Sequence, residues 1–192
     1  MKIVLVHGIF NTGFVMRWMH NQLAKAGHEC FSPTVAPFDG RLGVEHAAGN
    51  LQHQIEQRFG LTDDIVLVGF SMGGIVGRYY LQRLGGANRV THFFSLAAPH
   101  AGSLLAYLPY PSKAMVQLRP NSALLAELNA TQHKLKQIAL YSYRTPLDFT
   151  IVPSKSSIWP MANNRSFWVV LHMSVIFSRK ISNAIIDKLA PK

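Results

Sequence analysis

The chain has 192 residues, a length for one domain, and 48% hydrophobic against 15% charged residues excludes a disordered segment. Nineteen Lys and Arg face nine Asp and Glu, a formal charge of +10, yet Arg17, Lys25, Arg41, Arg58, Arg78, Arg83 and Arg89 form no run and no aromatic-interleaved basic stretch, which argues against nucleic acid as a partner. A solvated basic surface is the plainer expectation, and peripheral contact with an anionic membrane surface the sharper one.

Ile3–Val6 is an all-apolar run ending at His7-Gly8 and reads as a strand buried on both faces. Phe14, Trp18, Leu23 and Ala26 are spaced for a helix that Gly27 stops. A second strand is expected around Cys30–Phe31, ended by Pro33. Val44–Phe59 reads as a helix closed by Gly60, Ile65–Val68 as a strand, Met72–Leu84 as a helix closed by Gly85-Gly86, and Val90–Leu96 as a strand. From Pro99 to about Thr131 the alternation breaks at Pro109, Pro111 and Pro120, and a short helix with Leu124, Leu125 and Leu128 follows a cap at Ser122. Gln137–Tyr143 and Phe167–Leu171 read as strands and Ser178–Leu189 as a final amphipathic helix. Strands separated by helices imply parallel pairing in an open α/β sheet, where ligands bind at the carboxyl ends of the strands.

The single cysteine, Cys30, can form no internal disulfide and is expected to be a buried thiol. The apolar start is too short for a signal peptide, and no segment has the roughly 18 apolar residues of a membrane helix. The expectation is a cytoplasmic monomer. His28, His46, His53 and His133 show no metal-binding spacing, so no metal and no cofactor are expected.

Chemistry is sought after each strand. Ile65–Val68 runs into Gly69-Phe70-Ser71-Met72-Gly73, the pattern G-x-S-x-G, whose glycines make room for a serine on a sharp strand-to-helix turn. Alone the pattern is weak, and a glycine-rich turn with an incidental serine is the plainer alternative; Gly74 and Gly77 on the following helix favour the nucleophile. A serine needs a base, and the base an orienting acid, in the chain order Ser, Asp or Glu, His. Only Glu127, Asp148 and Asp187 follow Ser71. Glu127 falls in the irregular segment and Asp187 has no histidine after it, whereas Asp148 follows the Gln137–Tyr143 strand by a short loop. His172 alone follows Asp148, leaving Ser71, Asp148 and His172 as the catalytic set. A turn-capping Asp148 and a core His172 are the competing readings. The oxyanion donors are assigned to the Met72 amide at the helix start and the Ile9 amide after the first strand. His7 is expected to hold that loop.

These residues resemble the α/β-hydrolase superfamily and, within it, the small bacterial lipases and esterases of triacylglycerol-lipase type. The resemblance rests on Val4–Ile9, Gly69–Gly74, Ala98–Ser103, Tyr141–Pro153 and Leu171–Ser174, nearly the whole chain. It implies a single domain over 1–192 with a minimal, mostly parallel sheet of about six strands and helices on both faces. It also implies a triad at Ser71, Asp148 and His172 with Ile9 and Met72 as oxyanion hole. Where Phe70 stands such enzymes more often carry His. Residues 99–131 match the place of a small lid or cap, with a helix filling the sheet face as the alternative.

The implied activity is cleavage of carboxylic esters through an acyl-enzyme, without a cofactor. Phe10, Phe14, Leu104, Leu105 and Ile151 are the candidate substrate-binding residues, with a small ester or lipid as partner. A thioesterase or acyltransferase would use the same triad. A hydrolase-fold protein that only binds a ligand is the further alternative, since fold does not imply activity.

Overall fold

Ile3, Leu5, Val66 and Val68 pack into one core while Val4, Val6, Ile65 and Leu67 pack into another. The short apolar runs are therefore buried on both faces of one sheet. The structure is a computed structural model that describes residues 1–190. Its strands are β1 (Lys2–Val6), β2 (Glu29–Phe31), β3 (Ile65–Phe70), β4 (Val90–Leu96), β5 (Ala139–Arg144) and β6 (Asn163–Ser166). They lie in the order β2-β1-β3-β4-β5-β6, and every neighbouring pair is parallel.

Helices α1 (Arg17–Lys25) and, near the end of the chain, α6 (Arg179–Leu189) cover the first face through Met19, Leu23, Ile181 and Ile185. The opposite face carries α2 (Gly43–Phe59), α3 (Met72–Arg83), α4 (Lys113–Gln117) and α5 (Ala123–Ala130). Helices α2 and α3 give way to Gly60 and Gly85, both at positive φ, as helix-stopping glycines do. No helix among the described residues is long and apolar enough to cross a membrane.

Three expectations need correction. The last strand is Asn163–Ser166, not Phe167–Leu171. Its residues are all exposed and its shape is imposed by parallel pairing to β5, which overrides the poor strand preference of asparagine. The apolar run beyond it leaves the sheet: Phe167 is buried, while Trp168, Val170 and Leu171 are exposed. The first helix opens instead as a 3-10 turn at Gly13–Met16. A side chain on Gly13 would overlap the Ser32 carbonyl, so the turn is pressed against the chain leaving β2. That tighter turn buries Met16, Met19 and Leu23 and leaves Phe14 72% exposed. Cys30, on the three-residue edge strand β2, is half-buried rather than buried, and burial pushes its thiol up to about 11.

Residues 99–131 divide in two. The later part is core: Ser122 accepts from the Leu125 amide at 3.3 Å, and Leu124, Leu125 and Leu128 are buried. The earlier part keeps Leu104, Leu105, Tyr107 and Leu108 exposed.

Behind α3 lies a buried polar network. The fully buried Arg78 donates to Gln82 Oε1 at 3.3 Å, Asn129 Oδ1 at 3.0 Å and His100 Nδ1 at 3.3 Å. His100 Nε2 in turn donates to Ser95 Oγ at 2.7 Å. Burial, reinforced by the Arg78 charge, holds His100 neutral with its pKa well below the usual value. Among the described residues no carboxylate pairs with Arg78. Its charge rests on neutral acceptors and on the face of Trp159, 4.7 Å from the ring centroid. Burial lowers the guanidinium to about 10, so it stays charged at neutral pH. Truncation leaves three acceptors unpaired in the core, so Arg78→Met should cost about 3 kcal/mol and lower Tm by roughly 6–12 °C. Arg78→Lys, which keeps the charge but not the fork, should recover little of it in the same thermal melts.

Candidate active site

Ser71 leaves β3 with φ 54° and ψ −126°, a conformation that a side-chain-bearing residue adopts only under constraint. Helix α3 then starts at once. A Cβ at Gly69 would fall 2.5 Å from the Gly73 carbonyl oxygen, and one at Gly73 would fall 2.5 Å from the Val6 and His7 carbonyl oxygens. The two glycines of the motif are thus required by backbone contact on either side of the serine. Gly8 serves the same end, because a Cβ there would meet Ser71 Cβ at 3.0 Å.

The chain order places this turn at the topological switch. From β1 the sheet grows one way to β2 and the other way to β3 and beyond, and such a crevice is where open α/β sheets bind ligands. Ile9 comes from the β1 side and Met72 from the β3 side. Among the described residues neither amide donates to a protein acceptor. His7 holds the β1 loop: Nδ1 donates to the Gly8 carbonyl at 2.8 Å, and Nε2 accepts from the Val35 amide at 2.9 Å. Burial lowers its pKa, with the Gly8 bond opposing less strongly, so the ring is the neutral tautomer these bonds require.

Asp148 and His172 meet. His172 Nδ1 lies 2.8 Å from Asp148 Oδ2, and both side chains are buried. The other carboxylate oxygen, Oδ1, accepts from the Thr150 and Ile151 amides, each at 2.9 Å. The carboxylate is thereby fixed against His172 Nδ1. Phe70 packs against the imidazole at 4.7 Å between centroids, the support that this position offers in place of a histidine. Because β6 ends early, His172 does not follow a strand directly; it starts a 3-10 turn after Leu171, which has φ 72°. No hydrogen bond joins Ser71 Oγ to the ring among the described residues, but both line one cavity of about 340 Å³. Catalytic bonds of this kind often close only around substrate.

That cavity takes in Phe10, Leu105 and Ile151 of the expected substrate-binding residues, and Ile9 but not Met72 of the expected oxyanion pair. It does not take in Phe14 or Leu104. Phe14 turns outward from its 3-10 turn into a neighbouring cleft, and Leu104 is exposed. Sequence reasoning missed Asn11, Pro99, Leu108, Met115, Leu118 and Met173 on the wall. Met173, beside His172, and Pro99, just after β4 and within the Ala98–Ser103 stretch, carried a positional signal. No group of three or more potential metal ligands occurs among the described residues.

Comparison with known proteins places the chain in a family and a fold. Residues 2–127 match the family described as "Palmitoyl protein thioesterase". A carbendazim hydrolyzing esterase of Nocardioides sp. (strain SG-4G) is 32% identical over 114 residues, 56% of this chain and 47% of that one. The chain thus spans about half the length of this curated relative. Among solved structures, Bacillus licheniformis lipase BlEst2 in its mature form superposes with a TM-score of 0.77 at 19% identity, covering 98% of this chain and 91% of that one. Aspergillus fumigatus lipase B gives 0.83 at 13% identity, covering 100% and 52%. These likenesses show the α/β-hydrolase fold.

Two measurements probe the construction. Gly73→Ala forces a methyl onto the Val6 and His7 carbonyls and should lower Tm by several degrees or abolish soluble folding. Gly49→Ala, mid-helix with open space around it, should stabilise by about 0.5–1 kcal/mol. Denaturant midpoints between pH 5 and 8 report the buried rings. His7 and His100 have folded pKa values below 6.5, so below about pH 6.5 the unfolded chain binds more protons. Stability should be full above that pH and fall progressively below it; a flat profile would contradict neutral burial.

Proposed function

The chain belongs to the palmitoyl protein thioesterase family, and from that membership and the geometry above we propose that it is a serine hydrolase cleaving carboxylic esters through an acyl-enzyme. The observation that carries the reading is the bonded Asp148–His172 pair, whose His172 lines the same cavity as a serine held at positive φ. In the proposed cycle His172 Nε2 takes the proton of Ser71 as Oγ attacks the ester carbonyl. The Ile9 and Met72 amides receive the oxyanion. The alcohol leaves with the proton from His172, and water activated by the same nitrogen frees the acid. Thr150 and Ile151 keep the Asp148 carboxylate turned to the ring throughout.

The family match favours a second reading, in which the acyl donor is a thioester and the same residues act alike. A purely ligand-binding role has less support, because it needs neither the ordered Asp148–His172 pair nor two unpaired amides.

Rates on p-nitrophenyl esters and on acyl thioesters, for wild type and for folded Ser71→Ala and Asp148→Asn, test this. Ser71→Ala should lose at least 10³-fold and Asp148→Asn about 10³–10⁴-fold in kcat/KM. Turnover on thioesters alone would select the second reading. Turnover on neither, with no fluorophosphonate labelling of Ser71, would sink the serine mechanism.

A further inference from the structure

Around the Ile9 amide the backbone is held group by group. The Gly8 carbonyl accepts from His7 Nδ1 at 2.8 Å, the Ile9 carbonyl accepts from Asn11 Nδ2 at 3.0 Å, and the Phe10 amide donates to the Phe38 carbonyl at 2.8 Å. The Ile9 amide between them donates to no protein acceptor among the described residues. The bond from Asn11 spans a residue under constraint. Phe10 has φ 60°, a left-handed backbone that a bulky side chain makes unfavourable. The Ile9 carbonyl and the Phe10 amide are the two ends of one planar trans peptide, so Asn11 and Phe38 grip that plane from opposite sides. Turning it back toward an ordinary φ would break both bonds. It would also swing the neighbouring Gly8–Ile9 plane about the Ile9 Cα, because His7 holds that plane at its carbonyl only. Asn11 is half-buried; with Phe10 it lines both the Ser71 cavity and the neighbouring cleft.

We propose that Asn11 is a positioning residue for the oxyanion. By holding the Ile9 carbonyl it keeps Phe10 at positive φ and the Ile9 amide in the direction that the reaction needs. The proposal rests on the ester-hydrolase reading, in which that amide receives the developing charge. It carries its own kinetic signature. An amide that meets charge only in the transition state acts on the chemical step and leaves ground-state binding alone. A residue that merely closed a turn would cost stability instead, and one that only walled the cavity would weaken binding.

The test compares wild type with Asn11→Leu and Asn11→Ala, both of which lose the donor. On p-nitrophenyl butyrate kcat should fall about 10–100-fold, less than the outright loss of an oxyanion donor, with KM within about twofold. In butylboronic acid the trigonal boron takes the Ser71 Oγ lone pair as its proton passes to His172, giving a tetrahedral anion. Its affinity should fall by about the same factor as kcat. The ester itself, titrated calorimetrically into Ser71→Ala with and without Asn11→Leu, should bind equally. Phe10→Gly removes the cost of positive φ, so in that background Asn11→Leu should cost kcat about threefold less. Exchange of the Phe10 amide proton, followed by NMR, should quicken about tenfold in Asn11→Leu. Unchanged kcat and boronate affinity would overturn the assignment, as would ester binding weakened as much as kcat, an undiminished cost in the Phe10→Gly background, or unchanged exchange at Phe10. If wild type turns over no ester and binds no boronate, quickened exchange would uphold the hold of Asn11 on the loop and count against the hydrolase reading alone.

Discussion

Gly73 stands so close to the Val6 and His7 carbonyls that a single methyl group would overlap both, and the rest of the site is arranged around that contact. It brings the start of α3 onto the end of β1, so that a turn from one strand and a loop from the next enclose a common point. Ser71 takes its forced backbone angle from this approach, and Gly8 has no side chain because Ser71 Cβ occupies the space. The Met72 and Ile9 amides belong to the two backbone segments that this contact brings together, and among the described residues neither donates to a protein acceptor. His7, neutral and bonded at both nitrogens, fixes the β1 loop to the segment at Val35. The geometry of the proposed oxyanion site is therefore a property of backbone packing at the sheet's switch point.

Much of this could be read in the residues because burial on two faces leaves a clear mark. Ile3–Val6 and Ile65–Val68 contain no polar residue to turn outward, and the structure buries every one. Asp148 and His172 were legible for a different reason: acids are scarce after Ser71, so order and position left one pairing. What escaped detection depends on direction more than type. Phe14 and Phe10 are alike in composition, yet a 3-10 turn sends one into the cleft and a positive φ stands the other between two cavities. The apolar Phe167–Leu171 run carries a strand's composition but only its first amide, that of Phe167, bonds to the end of β5, whereas Asn163–Ser166 acquires its strand geometry from β5.

Charge tells a similar story. A chain with a formal +10 would be expected to keep its cations in water, yet Arg78 is fully buried without a carboxylate. Three neutral acceptors and the Trp159 face hold it, and the same ring stacks on His100 at 4.6 Å. This ties α3, β4 and α5 together behind the turn that carries Ser71. The pattern in sequence was an arginine between glycine and two tyrosines on an otherwise apolar helix, a hint of burial that charge statistics alone would dismiss.

The polar last strand has a further meaning. A parallel sheet that stops at an edge offers a row of unpaired amides and carbonyls to any passing chain, and long apolar edges of that kind seed aggregation. Here the edge is four residues long, Asn163, Asn164, Arg165 and Ser166, all exposed, with the Arg165 guanidinium folded back over Phe167 at 4.7 Å. Asn164 spends its amide on the Trp159 and Ala162 carbonyls, curling the entry into the strand. Had the apolar residues that follow formed the edge instead, the sheet would have ended in a ready template for its own copies; four hydrophilic side chains let it end in water.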